Sequence, residues 1–258
     1  MKTHSIVVVP QQLPLAGRDR LAHALYAVHR QIFAGVDFAT FTRHVVDSPA
    51  GHTAILLHLD AGEALVGYCA LHLFTAEPRA DVVRLEAGLL RDYRGAGRNV
   101  LFVLRRLIWH RLRHPRSTLW FLSTPVHPAS YLAMVRLAGA VWPGHERPTP
   151  AAVAALGETL RRHFGLRPVP AGDAGLIDVG WITRESGDES ARWRANPHPA
   201  VRFFLRRNPD YGAGHGLLTL IPVTLAAVAR AVWRFSRRRR ARRGGGAEQG
   251  FTPPDADR

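Results

Sequence analysis

Apolar positions along the first half of the chain recur in two rhythms, a continuous or alternating one that predicts strands and a three-to-four-residue one that predicts helices. Residues 5–9 form a β-branched run closed by Pro10 and read as a first strand. In 17–34, Leu21, Leu25, Val28 and Ile32 fall on one face of a helix, and a second, shorter helix runs over 37–46 with Asp37 as its N-cap. Residues 52–59, 64–74 and 81–90 are apolar runs of strand length, the first two joined by a turn at 60–63, which predicts a hairpin extended into a meander. Helical spacing returns at 100–109 and ends near His114 and Pro115. A compact strand follows at 118–123, then a helix at 128–137 with proline in its first turn.

The order strand, helix, helix, three strands, helix, strand, helix excludes a doubly wound protein, which would alternate strand and helix throughout. It predicts an α/β (α+β mixed-sheet) fold. Beyond it, prolines at 143, 148 and 150 lead into an added helix at 151–164, and 176–182 reads as a strand that completes the sheet. Residues 184–196 read as an exposed linker, 198–207 as a short basic helix and 208–214 as a turn-rich loop. The expected organisation is a main domain at 1–185, a linker with the basic helix at 186–215, an apolar, membrane-associated helix at 216–235, and a disordered arginine-rich tail at 236–258.

Charge sharpens the picture of that last part. The formal net charge is +15, but eight arginines lie within 230–243, and without them 27 basic residues face 20 acids. Residues 216–229 carry no formal charge, which is too short a run for the ~20 residues that span a bilayer. An apolar segment ending in Trp233 and a block of arginines suits the anionic surface of a membrane, with 216–243 as the contact; binding of nucleic acid by the same tail is the weaker expectation. Cys69 is the one cysteine, so no disulfide can form within the chain, and its apolar strand makes it core filler. No signal peptide is read at the N-terminus, and the expected location is cytoplasmic, peripheral on the inner face of the membrane.

Between the strand at 81–90 and the next helix lies Asp92-Tyr93-Arg94-Gly95-Ala96-Gly97-Arg98-Asn99. A strand, a glycine turn and a helix N-terminus leave several backbone N–H groups free and aim a positive dipole end at one point, which favours a phosphate. Arg94 and Arg98 add charge. Neither a P-loop nor the three-glycine dinucleotide fingerprint is present. The loop resembles the acyl-CoA pyrophosphate loop of the GNAT N-acetyltransferase superfamily, which reads Arg or Gln, two residues, Gly, one residue, then Gly or Ala. Arg94 and Gly97 match it, and Asn99 departs at the last position. The order of elements over 1–185 is that of the same family, and the 142–175 insertion departs from it.

The resemblance implies acetyl-CoA or another acyl-CoA as co-substrate, with Leu89, Arg94, Gly95, Ala96, Gly97, Arg98 and Asn99 as its binding positions. It also implies that the strand at 81–90 splays from the one at 118–123 to bare N–H groups near Gly88 and Leu89. Glu86, a carboxylate in an apolar strand, is the candidate base, with burial expected to raise its pKa. The family's usual tyrosine is replaced by Val135, which leaves Tyr131 as candidate acid and His127 as a second candidate base or substrate ligand. No metal site is expected: His110 and His114 are four apart on a helix but lie among arginines, on what reads as a solvated face. The function expected is N-acyl transfer from acyl-CoA, or from an acidic acyl carrier protein drawn to Arg105, Arg106, Arg111 and Arg113, to a small amine or amino acid. The alternatives are a catalytically inactive scaffold of the same fold and a protein that binds anionic lipid or nucleic acid.

Overall fold

The computed structural model describes residues 3–75, 80–94, 97–170, 172–173 and 175–244. In order, β1 (Thr3–Val8), α1 (Leu15–Ile32), β2 (Phe33–Ala34), α2 (Phe38–Val45), β3 (His52–Asp60), β4 (Leu65–Thr75) and β5 (Ala80–Leu89) fill the first third. Then come α3 (Arg98–Arg113), β6 (Thr118–Ser123), α4 (Pro128–Leu137), α5 (Ala151–His163), β7 (Leu176–Asp178) and β8 (Ile182–Thr183). The chain ends with α6 (Gly187–Arg194), α7 (Pro199–Arg207), β9 (His215–Leu217), β10 (Thr219–Pro222) and α8 (Leu225–Gly244). Asp37 caps α2 as expected, its carboxylate accepting from Thr40 N–H at 2.7 Å.

The main sheet runs β1-β3-β4-β5-β6-β10, antiparallel throughout except between β5 and β6, which are parallel. Side chains alternate across it. Leu56, Cys69, Leu71 and Val83 face α3 and α8, while Ile55, Leu57, Tyr68 and Ala70 face α1 and α2. A third cluster joins Tyr131 and Leu132 of α4 to Ala200, Val201 and Phe204 of α7 and to Tyr211 and Leu217. Cys69 is fully buried in the first of these, and burial pushes its thiol pKa up.

Two sequence expectations are corrected here. The strand at 176–182 does not complete the sheet: it breaks at Gly180, where φ is +74°, and its halves pair elsewhere, β7 with β9 and β8 with β2. The sixth strand is β10, from the segment expected to be part of one apolar helix at 216–235. Pro222 ends it, and the helix starts only at Leu225. Among the described residues no helix is long and apolar enough to cross a membrane. The supposed linker holds α6, capped by Ser186 Oγ on Glu189 N–H, and the basic helix α7 buries Ala200, Val201 and Phe204 completely. Most of the tail expected to be disordered lies outside the described residues.

On the α1 face, His29 sits among Tyr26, Phe33, Phe41 and Trp181 with its Nδ1 2.9 Å from the Tyr68 hydroxyl. Burial lowers its pKa from 6.5 to about 4. Because the folded value lies below the unfolded one, the stability this neutral ring contributes is complete above pH 6.5 and lost as pH falls toward 4. The expected loss is about 3 kcal/mol across that window, at about 1.4 kcal/mol per pKa unit. Urea titrations at pH 7 and pH 4.5 should show it, and His29→Gln should flatten the dependence.

Candidate functional site

β5 and β6 pair only from Ala80–Thr118 to Val83–Phe121, although β5 runs on to Leu89 and β6 to Ser123. The two strands therefore part beyond Val83. Leu90 N–H donates to Val66 O on the β4 side at 3.0 Å, and alternation along an antiparallel strand then turns the main-chain groups of Leu85, Ala87 and Leu89 toward the gap. Their N–H groups form an open edge of the kind an extended ligand can pair with.

A cavity of about 860 Å³ passes through this gap. On one side of the sheet its wall is apolar: Val100, Val103, Leu104 and Leu107 of α3, Met134 and Leu137 of α4, Val228 and Ala231 of α8. On the other side polar groups enter, with Asp37, Thr40, Arg43 and His44 around α2 and Arg84 and Glu86 on β5, beside Phe33, Val36 and Trp181. Glu86 is 13 % exposed; its Oε2 lies 2.9 Å from His72 Nε2, and its Oε1 3.8 Å from Arg84. His72 Nδ1 meets Thr53 Oγ1 at 2.9 Å. Burial pushes the Glu86 pKa up, but His72, Arg84 and His44 together outweigh it and hold the carboxyl below its ordinary value of 4.5. The expected raised pKa is thus reversed, and Glu86 stands ionised at neutral pH.

The glycine loop lies at the head of α3. Gly97 is its N-cap in the left-handed conformation (φ +69°, ψ 14°), and no side chain caps the helix. The first N–H groups of α3 have no intrahelical partners, and they carry the positive end of the helix dipole. Gly95 and Ala96 lie outside the described residues. Arg94 is half-exposed, with Nε donating to Leu89 O at 3.1 Å and a guanidinium nitrogen 3.8 Å from Glu189. Arg98 turns away to Thr3 O of β1, so its charge serves the fold. Asn99 lines the cavity and its Oδ1 meets His58 Nε2 at 2.5 Å.

The other two catalytic expectations are not brought to the cavity. His127 caps α4, its Nδ1 accepting from Ala129 N–H at 3.2 Å and its Nε2 donating to Glu185 at 3.0 Å. Tyr131 is fully buried with its hydroxyl on Pro143 O at 2.8 Å, and burial pushes its pKa up. For Tyr131 the reason is helical phase: Ser130, Ala133, Met134 and Leu137 face the cavity at spacings of three and four, which turns 131 toward α7. His127 precedes the first turn in extended backbone, and its ring is held among Glu185, Trp193 and Tyr211. His110 is buried against Asp81 at 2.8 Å, not on a solvated face. Among the described residues no group of three His, Cys, Asp or Glu is arranged to hold a metal ion. His72 and His44 escaped sequence reasoning as partners of Glu86, although a histidine inside the apolar run at 64–74 was a signal for His72.

No protein-family model matches the chain, and no curated protein matches it. Among solved structures it is similar to a ribosomal-protein-alanine N-acetyltransferase from Brucella melitensis biovar Abortus 2308, at 18 % identity over 54 % of this chain and 93 % of that one, with a TM-score of 0.37. It is also similar to Tetrahymena GCN5 (9 % identity, 86 % and 96 % covered, TM-score 0.43). A third is the Escherichia coli GNAT family N-acetyltransferase YhbS in complex with CoA (12 % identity, 88 % and 86 % covered, TM-score 0.35). The parting of the sheet's one parallel pair and the left-handed glycine at the head of α3 agree with what the loop resemblance implied, and the fold is an α/β one with a mixed, mostly antiparallel sheet.

Proposed function

We propose that this protein transfers an acyl group from a CoA-type thioester to a small amine. The observation that carries this is the cavity through the parted strands, which brings the first turn of α3 at Asn99 and Val100 and the free strand edge at Leu85 and Ala87 to one space with the Glu86 carboxylate. The residues present fit such a donor. The N–H groups at the head of α3, with Arg94 beside them, would take its diphosphate. The edge at Leu85, Ala87 and Leu89 would pair with its amide-containing arm, and the same N–H groups would stabilise negative charge developing on the acyl oxygen. The thioester supplies an activated acyl carbon.

Glu86 faces the polar half of the cavity, where the acceptor amine would enter beside α2. A carboxylate held below its ordinary pKa takes a proton weakly. Its larger contribution is electrostatic, stabilising the positive charge that forms on the nitrogen as it attacks, before that proton leaves through water. The hydroxyls in the wall, Ser123, Thr124 and Ser130 among them, are the groups beside the gap that can protonate the leaving sulfur, directly or through water.

Thermal unfolding with coenzyme A tests the reading. Saturation at about 100 Kd is expected to add about 2.7 kcal/mol, hence a Tm rise of about 5–10 °C. No shift with coenzyme A, together with no acetyl transfer to any amine in a panel, would refute it.

Contact with an anionic bilayer is a second reading, favoured by two half-exposed tryptophans on adjoining helices. Trp109 of α3 lies under Arg113 at 4.0 Å and Trp233 of α8 under Arg237 at 4.8 Å. Co-sedimentation with phosphatidylglycerol vesicles and not with phosphatidylcholine ones is the expected result.

A further inference from the structure

The donor half of the cavity has a roof, and the roof is α8. This helix packs against both α3 and α4, the elements that flank the gap. It enters through Val223 and Thr224, runs over Leu104, Leu107 and Phe121 with Val228 and Ala231, and then reaches the loop. There the Phe235 ring rests on Gly97 so closely that a Cβ added at Gly97 would lie 2.7 Å from it. The ring thus lies against the glycine that heads α3, beside the backbone amides that an anion there would need.

The hold of α8 is slight for its length. Of its residues up to Ala241 only Val228 and Ala231 are buried, whereas α1, which is shorter, buries Ala22, Leu25, Val28, His29 and Ile32. Toward α4 it is tied by two arginines, Arg234 to Ala138 O and Arg230 packed over Gly139. The link to β10 is two residues long, with Thr224 capping the helix on Ala227 N–H at 3.0 Å. A long helix attached at one end, with a small buried area, opens before the sheet beneath it does.

We infer that α8 is a displaceable strap over the donor site, which lifts as one unit to let a diphosphate-bearing ligand reach the head of α3. The ligand class rests on the acyl-transfer reading; the strap itself rests on the packing of Phe235, Val228 and Ala231.

Native-state hydrogen exchange on the full chain, with and without coenzyme A, tests it. Amides of 225–240 are expected to exchange together, about 100-fold or more faster than those of β4 and α3, and faster again when coenzyme A is bound. Phe235→Ala is expected to bind coenzyme A about tenfold more tightly than the unaltered chain. Exchange of α8 only through global unfolding would overturn the strap, as would coenzyme A binding that leaves α8 exchange unchanged. Cooperative opening of α8 in a protein that binds no coenzyme A, with or without Phe235, would support the strap and refute the acyl-transfer reading.

Discussion

Glu86→Gln is expected to lower kcat/KM for acetyl transfer about 10²- to 10³-fold, the range typical of removing one group that stabilises charge in the transition state. Glutamine keeps the shape of the side chain and can still meet His72, so the loss reads out charge. Because Glu86 is held below 4.5 by His72, Arg84 and His44, its own protonation cannot limit the rate between pH 5 and 8. Over that interval the rate should rise with pH only as the acceptor amine loses its proton, and Glu86→Gln should lower the profile without changing its shape. An unchanged rate in the variant would refute a role for the Glu86 charge, and a profile whose acid limb vanishes with the carboxylate would show Glu86 itself titrating as the base in that interval.

Gly35→Ala is expected to cost about 3 kcal/mol or more, a fall in Tm of about 6–12 °C. Gly35 has φ +91°, and a Cβ there would lie 2.2 Å from the carbonyl oxygen of Gly180. Left-handed backbone and a collision with main chain act together, and main chain cannot swing aside as a side chain would. Both glycines line the cavity, where β2 and β8 pair at the start of the loop leading to α2. The acceptor wall should therefore loosen with the fold. Gly187→Ala is the control: no atom lies within 4 Å of its added Cβ, and its φ is not in the left-handed range. Its Tm should stay within about 2 °C.

Most elements were legible in the sequence because the signals that set them are local. Alternation and apolar runs marked β3, β4, β5 and β6, and Asp37 and Pro128 marked the starts of two helices. The edge strand β10 was not legible, since a short apolar run has no periodicity to separate strand from helix. Its identity is fixed by pairing with β6, about a hundred residues earlier in the chain. The same holds at the site. Glu86 stood out as a carboxylate in an apolar strand, but the direction of its pKa depends on His72 from the neighbouring strand and His44 from a helix. Strand register and helix packing bring those groups together, and neither is written in local sequence. Tyr131 points away from the cavity because the phase of α4 is set by its burial against α7, and His127 because Glu185, 58 residues later in the chain, holds its ring.

On the acyl-transfer reading, the passage through the sheet also bears on how the two reactants bind. Donor and acceptor would approach from opposite faces and meet at one point, so neither blocks the other's entrance. The lone thiol is sealed in the core with its ionisation suppressed, which removes the obvious residue for storing an acyl group between two half-reactions. Both reactants must then be aboard together, and initial-rate lines at fixed concentrations of one against the other should intersect, not run parallel.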